Sequence, residues 1–197
     1  PPIAMDKLTA KQKQFAEVQG GGSAGQRASN YNQGPFRLYL RSPDFGLAAI
    51  QMSDYLRWGT GLEPRLTEFA ILFAARKWTN NFEFNAHMGA AAKAGLKQDI
   101  ITALTEGRRP AGMAEDEEIL YDFCTELQAN QSVSDPTYAR ALAKFGEPGV
   151  VEIAGIQGYY TYLAMIMNAA RITINPNAKP PLERFPRLGP GLSTQGK

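Results

Sequence analysis

The stretch covering residues 66–96 constrains this chain more than any other. Phe69, Ala70, Ile71, Leu72, Phe73, Ala74, Ala75 and Trp78 leave its first half without a solvent face, so the spacing predicts a helix buried on every side. Glu68 and Arg76 nevertheless lie within it. A carboxylate or guanidinium taken out of water costs several kcal/mol unless it is paired or faces a polar cavity, so both residues demand partners. The next helix offers them: Glu83 and His87 are spaced i,i+4 and share one helical face. His87 is the only histidine in the sequence.

The rest of the chain reads as further helices. Thr9 and Gln12 form a capping box opening a short helix to about Val18, with Leu8, Phe15 and Val18 apolar. Residues 20–34, rich in glycine, serine, asparagine and glutamine, form a connector without the spacing of a phosphate loop. Ser42, Pro43 and Asp44 supply an N-cap, a first-turn proline and a first-turn acid, starting a helix that residues 59–61 end. Pro64 starts the buried helix and Asn80-Asn81 ends it. Residues 82–94 follow, with Ala86, Gly89, Ala90, Ala91 and Ala94 allowing close approach of a neighbour.

A short helix over 97–105 precedes a loop at 107–112. Another helix begins near Ala114, where Glu115, Asp116, Glu117 and Glu118 complement the helix dipole as a solvated face. Ser134, Asp135 and Pro136 repeat the start signal, Gly146 ends that helix, and a long apolar helix runs from Pro148 to about Ile172. No period-two strand pattern appears, so the expected class is all-α. The expected organisation is an N-terminal arm with a short helix and connector over 1–41, a helical domain over 42–174, and a proline-rich tail over 175–197.

Composition removes several function classes. A net charge of +2 with 20% charged residues, and no basic stripe, argues against nucleic acid as a partner. Cys124 is the only cysteine, which excludes an intrachain disulfide and a cysteine-cluster zinc site. With one histidine, no metal site is expected. Residues 153–170 carry no charged side chain, but Gln157, Thr161, Asn168 and the tyrosines make a buried core helix the reading, not a membrane span. The first residues show no charged, then apolar, signal-peptide pattern. The expected compartment is the cytoplasm, with export after leader removal as the alternative.

The site residues point to proton transfer. A carboxylate beside a lone histidine orients the imidazole, fixes its tautomer and raises its affinity for a proton. The competing reading is a core histidine in a closed ion-pair network of Glu68, Arg76, Glu83 and His87.

Glu68, then Asn80, Glu83 and His87, followed by Ala94-Gly95-Leu96, resembles the carboxymuconolactone decarboxylase and alkyl hydroperoxidase D (AhpD)-like superfamily. The resemblance covers residues 42–171, including Glu83-Phe84 before His87 and the late Gly158-Tyr159-Tyr160. In the peroxidase branch a glutamate, a C-x-x-C pair and a histidine form the motif. Here Glu68 and His87 match, while Asn80 and Glu83 stand at the two cysteine positions. Thiol peroxidase chemistry needs an attacking and a resolving thiol, so that branch is disfavoured.

The resemblance therefore implies an AhpD-like domain of about seven or eight helices and a cofactor-free lyase acting on a small carboxylated, lactone-like substrate of aromatic catabolism. It implies His87 as proton donor, Glu83 or Glu68 orienting it, and Arg76 anchoring a substrate carboxylate. Tyr159, Tyr160 and Asn80 are further substrate-binding candidates. It also implies a homo-oligomer, trimer or hexamer. Isomerisation, hydration or ring opening would use the same acid/base pair, and a non-catalytic ligand-binding or assembly protein is the alternative from another class.

Overall fold

The computed structural model describes residues 2–21, 31–172, 174 and 181–183. Among them are eight α-helices and no strand: α1 Ala10–Gly21, α2 Gly34–Tyr39, α3 Pro43–Asp54, α4 Pro64–Lys77, α5 Asn81–Lys93, α6 Gln98–Glu106, α7 Glu115–Asn130 and α8 Asp135–Ala169. The all-α expectation holds. Most of the expected connector, residues 22–30, and most of the expected tail lie outside the described residues.

Helix α4 is the axis of the fold. Every residue from Leu66 to Arg76 is buried, and α5, α6, α7 and α8 all pack against it. Phe69, Ile71 and Leu72 are almost completely buried, each contributing about 1.5–3 kcal/mol of transfer free energy. Ala70, Ala74 and Ala75 are also fully enclosed and let the neighbouring backbones come close.

The turn into α5 is set locally. Thr79 adopts a positive φ of 47°, and the Asn80 side chain accepts the Glu83 N–H at 2.9 Å, capping α5. Of the small residues on α5, only Ala91 is buried. A Cβ added at Gly89 would meet nothing within 4 Å among the described residues.

Several start and stop signals act where the sequence placed them. Thr9 and Gln12 exchange hydrogen bonds of 2.9 and 3.3 Å across the start of α1. Gly107 ends α6 in the left-handed conformation, φ 73°. Within α8, Gly146 at φ 68°, ψ 176° breaks the helical path just before Pro148, so α8 is two helical segments joined at a kink.

Other features differ from expectation. Residues 34–39 form helix α2, and α1 and α2 pack on α3 and on α3 and α8 respectively, with Phe15 and Tyr39 in the common core. The acidic start of α7 is not merely solvated. Arg65 of α4 binds Asp116 at 2.7 Å and Glu117 at 2.5 Å, and Glu117 is buried. Arg65 immediately precedes the buried run, and its charge at that edge pairs with the acids.

Gly46 of α3 sits against the α1–α2 layer. A Cβ there would lie 2.6 Å from Tyr39 Cβ and 2.7 Å from Phe15 Cε2, contacts no relaxed side chain makes. Gly46→Ala is expected to destabilise the protein by about 1–3 kcal/mol, overriding the helix-propensity gain of alanine. Urea denaturation measures this, and an unchanged midpoint would show that the α1–α2 layer moves freely.

Candidate active site

The buried charge of α4 finds its partners on two other elements. Glu68 Oε2 lies 2.7 Å from His87 Nδ1 on α5. Its other oxygen, Oε1, accepts a hydrogen bond from an Arg57 guanidinium nitrogen at 2.9 Å. Arg57 belongs to a π-helical turn, Tyr55–Gly59, that continues α3. Such turns add a residue to the helical circuit and redirect side chains. Trp58 flanks the guanidinium, whose carbon lies 4.5 Å from the indole centroid.

The electrostatics follow from these contacts. Burial raises the proton affinity of Glu68, but the His87 hydrogen bond and the Arg57 charge together hold its carboxyl below the usual value. Glu68 is therefore an acceptor-only carboxylate, so the proton in the Glu68–His87 contact sits on Nδ1. That leaves Nε2 as the ring nitrogen outside the Glu68 contact.

His87 lines a cavity of about 370 Å³, whose wall also includes Arg57, Glu83, Tyr159, Tyr160 and Tyr39. That volume suits a small organic molecule. Tyr160 stands edge-on to the imidazole, with ring centroids 5.4 Å apart and planes at 88°. Tyr159 packs edge-on to Tyr160 at 5.4 Å, and its hydroxyl is 3.4 Å from that of Tyr39. These contacts fix the imidazole plane between an ion pair and an aromatic edge. Burial pushes the Tyr159 and Tyr160 phenols upward, so both keep their protons as donors.

Glu68, Glu83, His87, Tyr159 and Tyr160 thus converge, and two other candidates do not. Arg76 points elsewhere: it donates to the Glu183 carbonyl at 2.8 Å and lines a separate depression with Phe73 and Tyr121. Asn80 is a buried helix cap, bonded to Glu83 N–H and, at 3.0 Å, to Asn168. The cation on the cavity wall is Arg57, which the sequence reading did not single out. Of the two glutamates considered for His87, Glu68 makes the contact.

Neither a protein-family model nor a curated protein matches the sequence. In three dimensions the chain is similar to the crystal structure of a protein of unknown function from Agrobacterium tumefaciens, suggested to be the antioxidant defence protein AhpD. The TM-score is 0.58 at 20% identity, over 69% of this chain and 94% of the other. The fold is AhpD-like. At that identity the likeness is one of architecture and carries no activity with it.

Within this AhpD-like fold the only cysteine is far from suited to thiol chemistry. Cys124 lies on α7, buried, and burial pushes its thiol well above the usual range. Among the described residues no three His, Cys, Asp or Glu side chains converge as a metal site. Among those residues too, no helix is long and apolar enough to cross a membrane.

Proposed function

We propose that this chain is a cofactor-independent lyase of the decarboxylase type, acting by proton transfer on a small carboxylated, lactone-like molecule. One observation carries the reading: the 2.7 Å Glu68–His87 pair presents an oriented imidazole to a cavity of substrate size. A histidine so held can serve as a general acid or base.

The groups proposed to touch substrate all line this cavity. The bond between a substrate carbon and its carboxylate breaks, carbon dioxide leaves, and the electron pair passes into a conjugated carbonyl to give an enolate. His87, protonated at Nε2, delivers that proton to carbon, and water restores it. Arg57 anchors a second substrate carboxylate, the role first given to Arg76, and the guanidinium charge is oriented beforehand by Glu68 and Trp58. Glu68 positions His87 without touching substrate. The Tyr160 phenol is a donor for the enolate oxygen.

The peroxidase alternative has less support. The positions of a redox pair are Asn80 and Glu83, and the Cys124 thiol is sealed in the core. The test is a spectrophotometric screen of lactone and muconate carboxylic acids with carbon dioxide detection, run with chelator and without added cofactor. Turnover of at least one compound is expected. No turnover of any would remove the lyase reading and leave a binding protein.

A further inference from the structure

The proposed reaction leaves the one carboxyl group on the described cavity wall without a task. Glu83 is 2% exposed, lines the cavity, and among the described residues has no hydrogen-bond partner on either carboxyl oxygen. Local geometry explains why. Asn80 and Glu83 stand in capping-box register, and the first arm, Glu83 N–H to Asn80 Oδ1, is made at 2.9 Å. The return arm is blocked, because the Asn80 N–H already donates to the Ala75 carbonyl at 2.9 Å. Nor does Glu83 hold His87, whose Nδ1 belongs to Glu68.

The titratable groups around Glu83 come from every side of the cavity. They are His87 on its own helix, Glu68 from α4, Arg57 from the π-helical turn, Tyr39 from α2, and Tyr159 and Tyr160 from α8. The Arg57 charge is met by Glu68, and among the described residues no cation pairs with Glu83. A carboxylate enclosed without donor or counter-charge is far costlier than the neutral acid. Burial alone accordingly raises the proton affinity of Glu83 well above the usual carboxylate value.

We propose that Glu83 is a protonated acid whose hydroxyl donates a hydrogen bond to an uncharged carbonyl oxygen of the ligand, so that the cavity selects carboxylates carrying a second acceptor oxygen. The proposal rests on the reading of this cavity as a ligand site and assigns Glu83 a contact that the reading leaves open. An apolar residue of similar size would close the wall equally well and would leave no unpartnered polar atoms. A neutral acid is instead a strong donor that needs no solvent rearrangement as charge grows on the acceptor oxygen. Arg57 recognises the anionic end of the ligand and Glu83 the uncharged end. The two ends then lie on the cavity wall with His87 as a third contact.

Infrared difference spectra of the wild type against Glu83→Gln test this, with and without paraconate, a γ-lactone carboxylate, as probe. The wild type is expected to show the carbonyl stretch of a protonated carboxylic acid at neutral pH, absent from Glu83→Gln. Paraconate is expected to move that band to lower frequency. In calorimetry, Glu83→Gln keeps a donor and should bind paraconate within about threefold of the wild type, whereas Glu83→Leu should bind about tenfold more weakly.

An ionised Glu83 at neutral pH overturns the proposal, as does a protonated band that bound paraconate leaves in place or undiminished binding by Glu83→Leu. A wild type that takes up no paraconate overturns the ligand contact as well. Failure of the lyase reading is distinct: it shows as a moved band without carbon dioxide release from any acid in the screen.

Discussion

His87→Ala is expected to lower kcat by about 10²–10⁴-fold while leaving the helical fold in place, because it removes the residue proposed as proton donor and little packing. The ring contributes one edge-on contact with Tyr160 and one hydrogen bond with Glu68. Glu68 retains Arg57 in the variant. The stability loss should therefore stay near about 1–2 kcal/mol, the range for a single charged hydrogen bond with modest packing. Circular dichroism should show unchanged helicity, with a small fall in Tm.

Two further measurements separate loss of the acid from general damage. Free imidazole fits the space vacated beside the cavity and should restore part of the turnover to His87→Ala. A general acid contributes a single alkaline limb to the kcat profile, and that limb should disappear in the unrescued variant. Wild-type turnover by His87→Ala would dismiss His87 as the acid, and the cavity would have to supply the proton from elsewhere.

The fold was legible in the sequence where a single residue dictates backbone geometry. Pro43, Pro64 and Asn80 begin helices and Gly107 ends one because fixed φ, a capping oxygen or a left-handed turn acts within a few residues. Helix α2 was not legible, being six residues long and next to a glycine-rich segment. Its stability comes from Tyr39 reaching the core, a tertiary contact no local pattern reveals.

The site divides in the same way. Glu68 and His87 announced themselves as polar groups among apolar neighbours. Arg76 drew attention for the same reason, yet it follows Glu68 by eight residues, about 80° around the helix and about 12 Å along it, too far to share one cavity wall. Arg57 could not be read out. In an ordinary helix it would sit beside the apolar stripe of α3 and read as solvated, and the extra residue of the π-helical turn swings it toward Glu68. The i,i+4 spacing did put Glu83 and His87 on one wall, but the hydrogen bond to the imidazole came from the neighbouring helix, which spacing along one helix does not encode.

Glu68 should be the residue whose loss harms both stability and turnover. It is buried and serves two partners, with Arg57 and His87 themselves largely enclosed. Removing it strands the Arg57 charge beside Trp58, and breaking a buried pair in this way costs about 3–5 kcal/mol. Glu68→Ala is expected to lose that much at neutral pH, measured by urea denaturation. The sign with pH follows from the lowered carboxyl. Its stabilisation is present above the unfolded carboxylate value and is lost as the pH falls through the lower folded value. The gap in stability between the wild type and Glu68→Gln should therefore be widest near neutrality and close in acid. A gap independent of pH would show that the ion pair contributes no net electrostatic stability. Turnover offers the independent readout, because a glutamine amide carries no charge to support the protonated ring from which Nε2 is proposed to deliver its proton. That loss should cost Glu68→Gln about 10²-fold or more in kcat with little change in KM, as expected of a residue proposed to position His87 without binding substrate.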